Sequence, residues 1–541
     1  MKIEVKETDS QPFIEKYINN DQEILEFYDY PLTDEGRKER LKELSSRTFN
    51  RQSLVKVLHS FNKRYTACEN TFRQISRLAE KDAVAVVGGQ QAGLLTGPVY
   101  TVNKVLSILA EAERLEEKQG VPVIPVFWIA GEDHDIDEVN HFYFPDRQSA
   151  RKFVIPEKNN VKIPVSKRKI SREEAERLIN EALRCLPETE YTKEIYSTLL
   201  DEFKDEYTYV DWFALLIHKI FEGTGLVLMD SDDPEIREIE KPFFLQMLKN
   251  NGTIREAFYE GASSFERAGF GTPIEKDPHN SHIFIHEQGQ RYLMENQGGL
   301  FREKNGAKEW TTEELMELCN KKPWLFSNNV VTRPIMQDML LPVAAFIAGP
   351  GEMKYWGVLK QAFRSMGIKM PLIYPRVHIS FITRRVEKNL ASINLAPEAV
   401  LKDGVQEEKE AWFNEQKTIN VEEVFSRAEE TLHETMGDIS AVFSSVGREA
   451  DQLHKKHAKI AAAALNRYKS DMEKLIQKQH EAVLIKYDET EAELKPDGNL
   501  QERHLNIYPY LNMYGTDLLL RVLKNIRKQE ALAGKHLFVY L

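Results

Sequence analysis

Residues 84–104 read VAVVGGQQAGLLTGPVYTVNK, and this stretch decides the fold. A β-branched apolar run from Ala83 to Val87 predicts a buried strand that breaks at Gly88-Gly89. Gly93 and Gly97-Pro98 follow, and a helical pattern begins near Tyr100. Val102, Val105, Leu106, Leu109, Ala112 and Leu115 then line one helix face. A strand, a glycine loop and a helix N-terminus together aim backbone N–H groups at an anionic ligand. A second apolar run, Val123–Ile129, ends in the polar string GEDHDIDE (131–138). Two strands flanking a helix make a βαβ unit, and open α/β sheets hold their ligands beyond the carboxyl ends of the strands.

Working outward, the alternation resumes with a helix at Trp212–Phe221 and a strand at Leu226–Asp230. It returns over Asn328–Tyr374, with strands at Val343–Ala348 and Leu372–Tyr374 and a helix at Trp356–Ser365 between them. Two stretches interrupt it. Residues 146–205 are charged and carry the helical segment SREEAERLINEALRCL; residues 235–325 carry HIFIHEQGQRYLMEN, two alternating runs around Gln288-Gly289 that predict a hairpin. Further on, apolar residues recur at Val421, Val424, Ala428, Leu432, Met436 and Ile439, and again at Ala450, Leu453, Ile460, Ala464, Tyr468, Met472 and Leu475. Such spacing among Lys, Glu, Gln and Arg predicts an antiparallel coiled coil. The expected organisation has seven parts. Residues 1–145 hold N-terminal helices and the first half of an α/β core, 146–205 a first insertion, and 206–234 core again. Residues 235–325 are a second insertion, 326–384 the second half of the core, 385–500 the coiled coil, and 501–541 a segment that packs back on the core.

With 73 basic and 85 acidic residues the net charge is −12, which argues against nucleic-acid binding. No apolar run reaches membrane-spanning length, so no membrane partner is expected. Three scattered cysteines fit a reducing compartment, and MKIEVKETDS lacks the apolar core of a signal peptide; a cytoplasmic protein is expected.

Familiar motifs fail. Gly88-Gly89-x-x-x-Gly93 is not GxGxxG, and Leu94 stands where a P-loop needs Lys. Asp133, Asp135 and Asp137 have calcium-loop spacing, but Glu138 and Phe144 occupy the positions that require Gly and Glu. No fixed zinc spacing surrounds His134 and His141, and no metal is expected. What remains is a polar set at strand ends. Gln90, Gln91, Thr96, Asn103 and Lys104 follow the first strand; Asp133, His134 and Asp135 follow the second. A histidine held between carboxylates has its imidazolium favoured and suits acid–base work. Arg333 and Arg376 are placed to clamp a carboxylate.

Four long motifs add a resemblance: GGQQAGLLTGPVYTVNK (88–104), PVFWIAGEDHDIDEVNH (125–141), NNVVTRPIMQDMLLPVAAFIAGPGEMKYW (328–356) and LQERHLNIYPYLNMYG (500–515). In this order they resemble the bacillithiol biosynthesis cysteine-adding enzymes. The resemblance implies a ligase that joins L-cysteine to glucosaminyl-malate by an amide bond, in the last step of bacillithiol synthesis. It implies a Rossmann-like core of the class I synthetase type, two connecting-peptide insertions, and a coiled coil supporting a homodimer. Carried onto these positions, Asp133, His134, Asp135 and Thr96 become the catalytic candidates. Gln90, Gln91, Gly97, Asn103, Asn329, Arg333, Glu352, Tyr355, Arg376, Asn506 and Tyr510 become the substrate-binding ones. The Gly93–Gly97 loop becomes a source of N–H donors. The class I HxGH turn reads Leu95-Thr96-Gly97-Pro98 here, without histidines, and no KMSKS-like loop follows. Both absences argue against ordinary ATP-driven adenylation and leave the activating co-substrate unassigned; ATP or ADP stays a nucleotide to test, with Arg384, Arg385 and Arg448 as its candidate contacts. Another acid–amine ligase or nucleotidyltransferase, or a non-catalytic coiled-coil scaffold, are the alternatives.

Overall fold

Five parallel strands form the central sheet: β1 (Val84–Gln90), β2 (Val123–Ile129), β3 (Val227–Asp230), β4 (Val343–Ala348) and β5 (Leu372–Pro375). Their order across the sheet is β5-β4-β1-β2-β3. This is the doubly wound order of a Rossmann-like core, with its reversal between β1 and β4. The computed structural model describes every residue except 8–11, 147–148, 158–160, 202, 305, 307, 417–419 and 530–531.

The strands read as continuous apolar runs because both faces are covered. Alternation along each strand sends side chains to two separate cores. Val84, Val86, Phe127, Ile129, Leu228 and Ile347 join one of them, together with Val102, Val105, Leu106 and Leu109 of helix α1 (Tyr100–Gln119). Ala85, Val87, Val126, Trp128, Val227 and Phe346 join the other. Burial of each large apolar side chain contributes about 1.5–3 kcal/mol, enough to carry a strand through weak residues. That accounts for one departure from the sequence reading: β1 does not break at Gly88-Gly89 but runs on to Gln90. Both glycines serve close packing. A Cβ on Gly88 would meet Ile108 Cδ1 at 2.9 Å, and one on Gly89 would meet the Trp128 carbonyl at 2.6 Å. A second departure is that the helix expected over 356–365 is two short helices, Pro350–Gly357 and Lys360–Ser365.

An antiparallel sheet joins Glu309–Thr311, Leu300–Glu303, Gln290–Gln297, Asn280–Glu287 and Phe326–Asn328 in that order. Its hairpin turns at Gln288-Gly289, both at positive φ (48° and 79°), as a tight primed turn demands. A third sheet sets Lys535–Tyr540 between Lys2–Glu7 and His378–Ile382.

Met1–Asp146, Ala150–Ile382 and Asn499–Leu541 make one compact unit, and Thr383–Gly498 belong to another. The second unit is helical. Its long helices, Val421–Phe443 and Arg448–Gln479, pair with each other, and Phe425 and Tyr468 meet edge-on at 5.4 Å. Much of the predicted apolar stripe stays outside: Val424, Leu453 and Ile460 are each more than half exposed. No helix among the described residues is long and apolar enough to cross a membrane.

Candidate active site

A cavity of about 770 Å³ opens where the strand order reverses, at the carboxyl ends of β1, β2 and β4. Lys104 on α1 bridges the reversal. Only 2% exposed, it donates to the Gly89 carbonyl at 2.6 Å, to Gln90 Oε1 at 3.1 Å and to Glu352 Oε2 at 2.6 Å. Glu352 stands in the first turn after β4 and also accepts from the Gly349 amide at 2.8 Å. All three ammonium hydrogens are spent, so Lys104 ties β1 to β4 rather than waiting for a ligand. Burial pulls its pKa down more than Glu352 lifts it.

Asp133 and His134 follow β2. Asp133 accepts from Gln91 Nε2 at 2.7 Å and from the His134 amide at 2.8 Å. Burial raises its pKa, but the Gln91 bond and the Arg291 guanidinium 3.6 Å away outweigh burial and hold the carboxyl low. Arg291 comes from the hairpin. Its Nη1 lies 3.2 Å from His134 Nδ1, its Nε donates to Ser327 Oγ at 3.1 Å, and its Nη2 donates to the Asn328 carbonyl. Its guanidinium stacks 3.8 Å from the Phe284 ring centroid. This corrects the expectation of a favoured imidazolium. Burial first, then Arg291, push the His134 pKa down, against Asp133 and Asp135. These groups favour the neutral imidazole of His134 over the imidazolium.

The remaining cations differ in what holds them. Arg333 donates to the Tyr355 hydroxyl at 2.8 Å and pairs with no carboxylate among the described residues. Burial lowers its pKa, yet Tyr355, Glu352 and Glu132 leave it raised; burial pushes the Tyr355 phenol up to about 12. Arg503 is exposed on the cavity wall and makes no side-chain hydrogen bond or ion pair among the described residues. Arg376 is different. Its Nη1 and Nη2 donate to the two oxygens of Glu502 at 2.7 and 2.8 Å, so the fork read as a substrate clamp is already filled from within. Burial opposes ionisation of Glu502, but Arg376 and His378 hold its pKa well below the usual range. Buried Asn328 lines the cavity with neither amide atom hydrogen-bonded among the described residues.

The Gly93–Gly97 loop lies elsewhere, and none of its residues lines the cavity. Leu95, Thr96 and Gly97 take three successive positive φ values (48°, 70° and 72°). Asn506 Nδ2 steadies this strained turn by donating to the Leu95 and Gly97 carbonyls, each at 2.8 Å. The Gly93, Leu94 and Gly97 amides donate to protein carbonyls. The loop therefore does not fit the role of phosphate or oxyanion cradle.

The residues singled out from sequence fall into three groups. Gln90, Gln91, Asp133, His134, Asn329, Arg333, Glu352, Tyr355 and Arg376 line the cavity. Thr96, Gly97, Asn103, Asn506 and Tyr510 do not line it: Thr96, Asn103, Asn506 and Tyr510 are buried, and Asn103 donates to Glu502 at 2.9 Å. Asp135 is exposed outside the cavity, and Arg384, Arg385 and Arg448 belong to the other unit. Sequence reasoning passed over Glu132, Glu138, Arg291 and Arg503, all of which line the cavity. Arg503 sits inside one of the quoted motifs, whereas Arg291 carries no local signal beyond following the hairpin turn.

Comparison with known proteins supplies the family. A family model described as Bacillithiol biosynthesis BshC, N-terminal Rossmann-like domain, matches residues 1–377. Its companion, the C-terminal coiled-coil domain, matches residues 379–541. Curated relatives named "Putative cysteine ligase BshC" are similar along almost their whole length. One from Bacillus cytotoxicus is 36% identical over 524 residues, 96% of this chain and 97% of the relative. One from Bacillus cereus strain B4264 is 35% identical over 536 residues, 99% of each. One from Bacillus licheniformis is 36% identical over 508 residues, 94% of each. With its Rossmann-like core, its helical second unit and these matches, the chain belongs to the bacillithiol biosynthesis BshC family.

Proposed function

We propose that this protein is a ligase that joins the carboxylate of L-cysteine to the amine of glucosaminyl-malate, in the last step of bacillithiol synthesis. The observation that carries the reading is Arg333: a guanidinium in the cavity wall with a phenol as its hydrogen-bond partner and no carboxylate among the described residues. Arg503, exposed on the cavity wall, is a second cation without a carboxylate partner among the described residues. A dicarboxylic malate group suits these two, and hydroxyls of a sugar suit the donor and acceptor atoms of Asn328. Asp133, held ionised, and Glu138 suit an ammonium or the amine that attacks.

Amide formation from a free carboxylate requires activation by a co-substrate such as a nucleoside triphosphate. The Leu95-Thr96-Gly97-Pro98 turn does not fit that role, and no step is assigned to it. Cysteine loses one carboxylate oxygen to the activating group; the amine nitrogen bonds to the carbonyl carbon and gives up a proton as the activated oxygen departs. The exposed apolar stripe of the long helices suits a second copy of the chain, and hence a homodimer.

The test is direct. Purified protein is incubated with isotope-labelled cysteine, glucosaminyl-malate and a panel of nucleotides, and the amide product is sought by mass spectrometry. Absence of protein-dependent product under every nucleotide would sink the reading. Product from a different acid or amine would favour the broader ligase alternative.

A further inference from the structure

We propose that Arg291 is a positioning residue that fixes His134 as its Nε2–H tautomer, making His134 a hydrogen-bond donor to the carbonyl oxygen that becomes negative as the amide forms. The proposal rests on the amide-forming reading above. A guanidinium has five hydrogens and no acceptor, so the imidazole nitrogen facing Arg291 Nη1 at 3.2 Å must be the unprotonated one. That nitrogen is Nδ1, and a neutral ring then carries its hydrogen on Nε2.

Arg291 is itself fixed. It is buried at 5% exposure, bonded to Ser327 Oγ and to the Asn328 carbonyl, and stacked on Phe284. Nδ1 also lies 3.8 Å from Asp133 Oδ1, too far for a hydrogen bond, so Arg291 Nη1 is the closer partner of that nitrogen. The charged groups acting on the ring are Arg291, Asp133, Lys162 and Asp135; burial and the two cations outweigh the two acids. Nε2 has no partner among the described residues, and the side chain is 23% exposed in the cavity wall. The geometry thus removes His134 from the role of general base, because the lone pair a base needs is already engaged. It leaves a preorganised donor, the kind of group that stabilises an oxyanion.

Two measurements on the full chain decide the matter. First, with 15N-labelled histidine and H134N to assign the signal, nitrogen NMR at neutral pH should show His134 with a bare Nδ1 and a protonated Nε2. A protonated Nδ1 would overturn the proposal. R291M should raise the pH at which both nitrogens become protonated, whereas R291K should move it less. Second, glutamine places an N–H near the His Nε2 position and asparagine places one near Nδ1. H134Q should keep turnover within about tenfold of wild type while H134N loses about 10²–10³-fold, the effect of removing one oxyanion donor. Equal and near-complete loss in both variants would restore the base role and reject the donor. If the wild type forms no amide at all, the functional reading fails, and the nitrogen spectrum still decides the tautomer.

Discussion

Arg376 and Glu502 meet through two parallel hydrogen bonds of 2.7 and 2.8 Å, across 126 residues of sequence. Glu502 also accepts from Asn103 at 2.9 Å and lies 2.8 Å from His378 Nδ1. One buried carboxylate therefore gathers the helix after β1, the segment after β5 and the returning C-terminal segment behind the cavity. Removing one member of such a buried pair costs about 3–5 kcal/mol, because the other charge is left unpaired. E502A should therefore lower Tm sharply. The double variant R376M/E502A should be more stable than E502A alone. A double variant no better than the single one would show that Arg376 is not the group left stranded.

Arg333 is the cation expected to meet substrate. R333A should raise KM for the acceptor about 10- to 100-fold, the worth of a hydrogen bond to a charged group, with kcat changed less. Circular dichroism should be unaltered, since among the described residues the side chain's hydrogen-bond partner is the Tyr355 hydroxyl. R503A should raise KM less, as an exposed charge is screened. Unchanged KM in R333A would take this residue out of the site.

Gly89 and Gly88 make a paired test of close packing in β1. G89A drives a methyl group against the Trp128 carbonyl of the neighbouring strand, where backbone must move. It should cost about 1–3 kcal/mol by denaturant titration. G88A presses on the end of the Ile108 side chain, which can turn, and should cost less. The reverse order would mean that β1 yields more readily than α1.

His218 offers a pH test with a definite sign. Its Nε2 donates to Asn62 Oδ1 at 3.0 Å, and burial lowers its pKa from 6.5 to about 4. Between those values the unfolded chain binds a proton that the folded one refuses, so stability falls as pH drops. The wild type should lose stability relative to H218Q by about 2 kcal/mol between pH 7.5 and pH 5. Comparing the two proteins cancels the other titrating groups. A constant difference across that range would show that the folded imidazole accepts protons normally.

The sequence announced the core better than the site. Val343–Ala348 is found at its expected bounds, since an apolar run with both faces buried has little alternative. Gly88-Gly89 misled because glycine marks both turns and close approaches, and only the neighbouring strand and helix say which. Asp133, His134, Arg333 and Arg376 could be named because they closely follow strands or sit in long motifs. What could not be read was their pairing. Arg376 is answered by Glu502 and His134 by Arg291, 157 residues away, and nothing local in either sequence encodes the partner. His134 was assigned the wrong charge preference for this reason: the neighbouring acids are visible in sequence, and the distant arginine is not.

The chain leaves the first unit at Ile382 and re-enters it at Asn499. On the first unit's side, Gln501 grips both backbone groups of Phe381, at 2.7 and 2.8 Å. On the second unit's side, Glu493 accepts from the Thr383 amide and hydroxyl, each at 2.8 Å. Each unit thus closes the same loop independently. Loop closure costs about 0.6 kcal/mol more for each doubling of length. A folded helical unit shortens a loop of roughly a hundred residues to about ten, which makes the final closure about 2 kcal/mol easier. The helical insertion can thereby act as a folding aid, delivering Glu502 to Arg376 at little entropic expense.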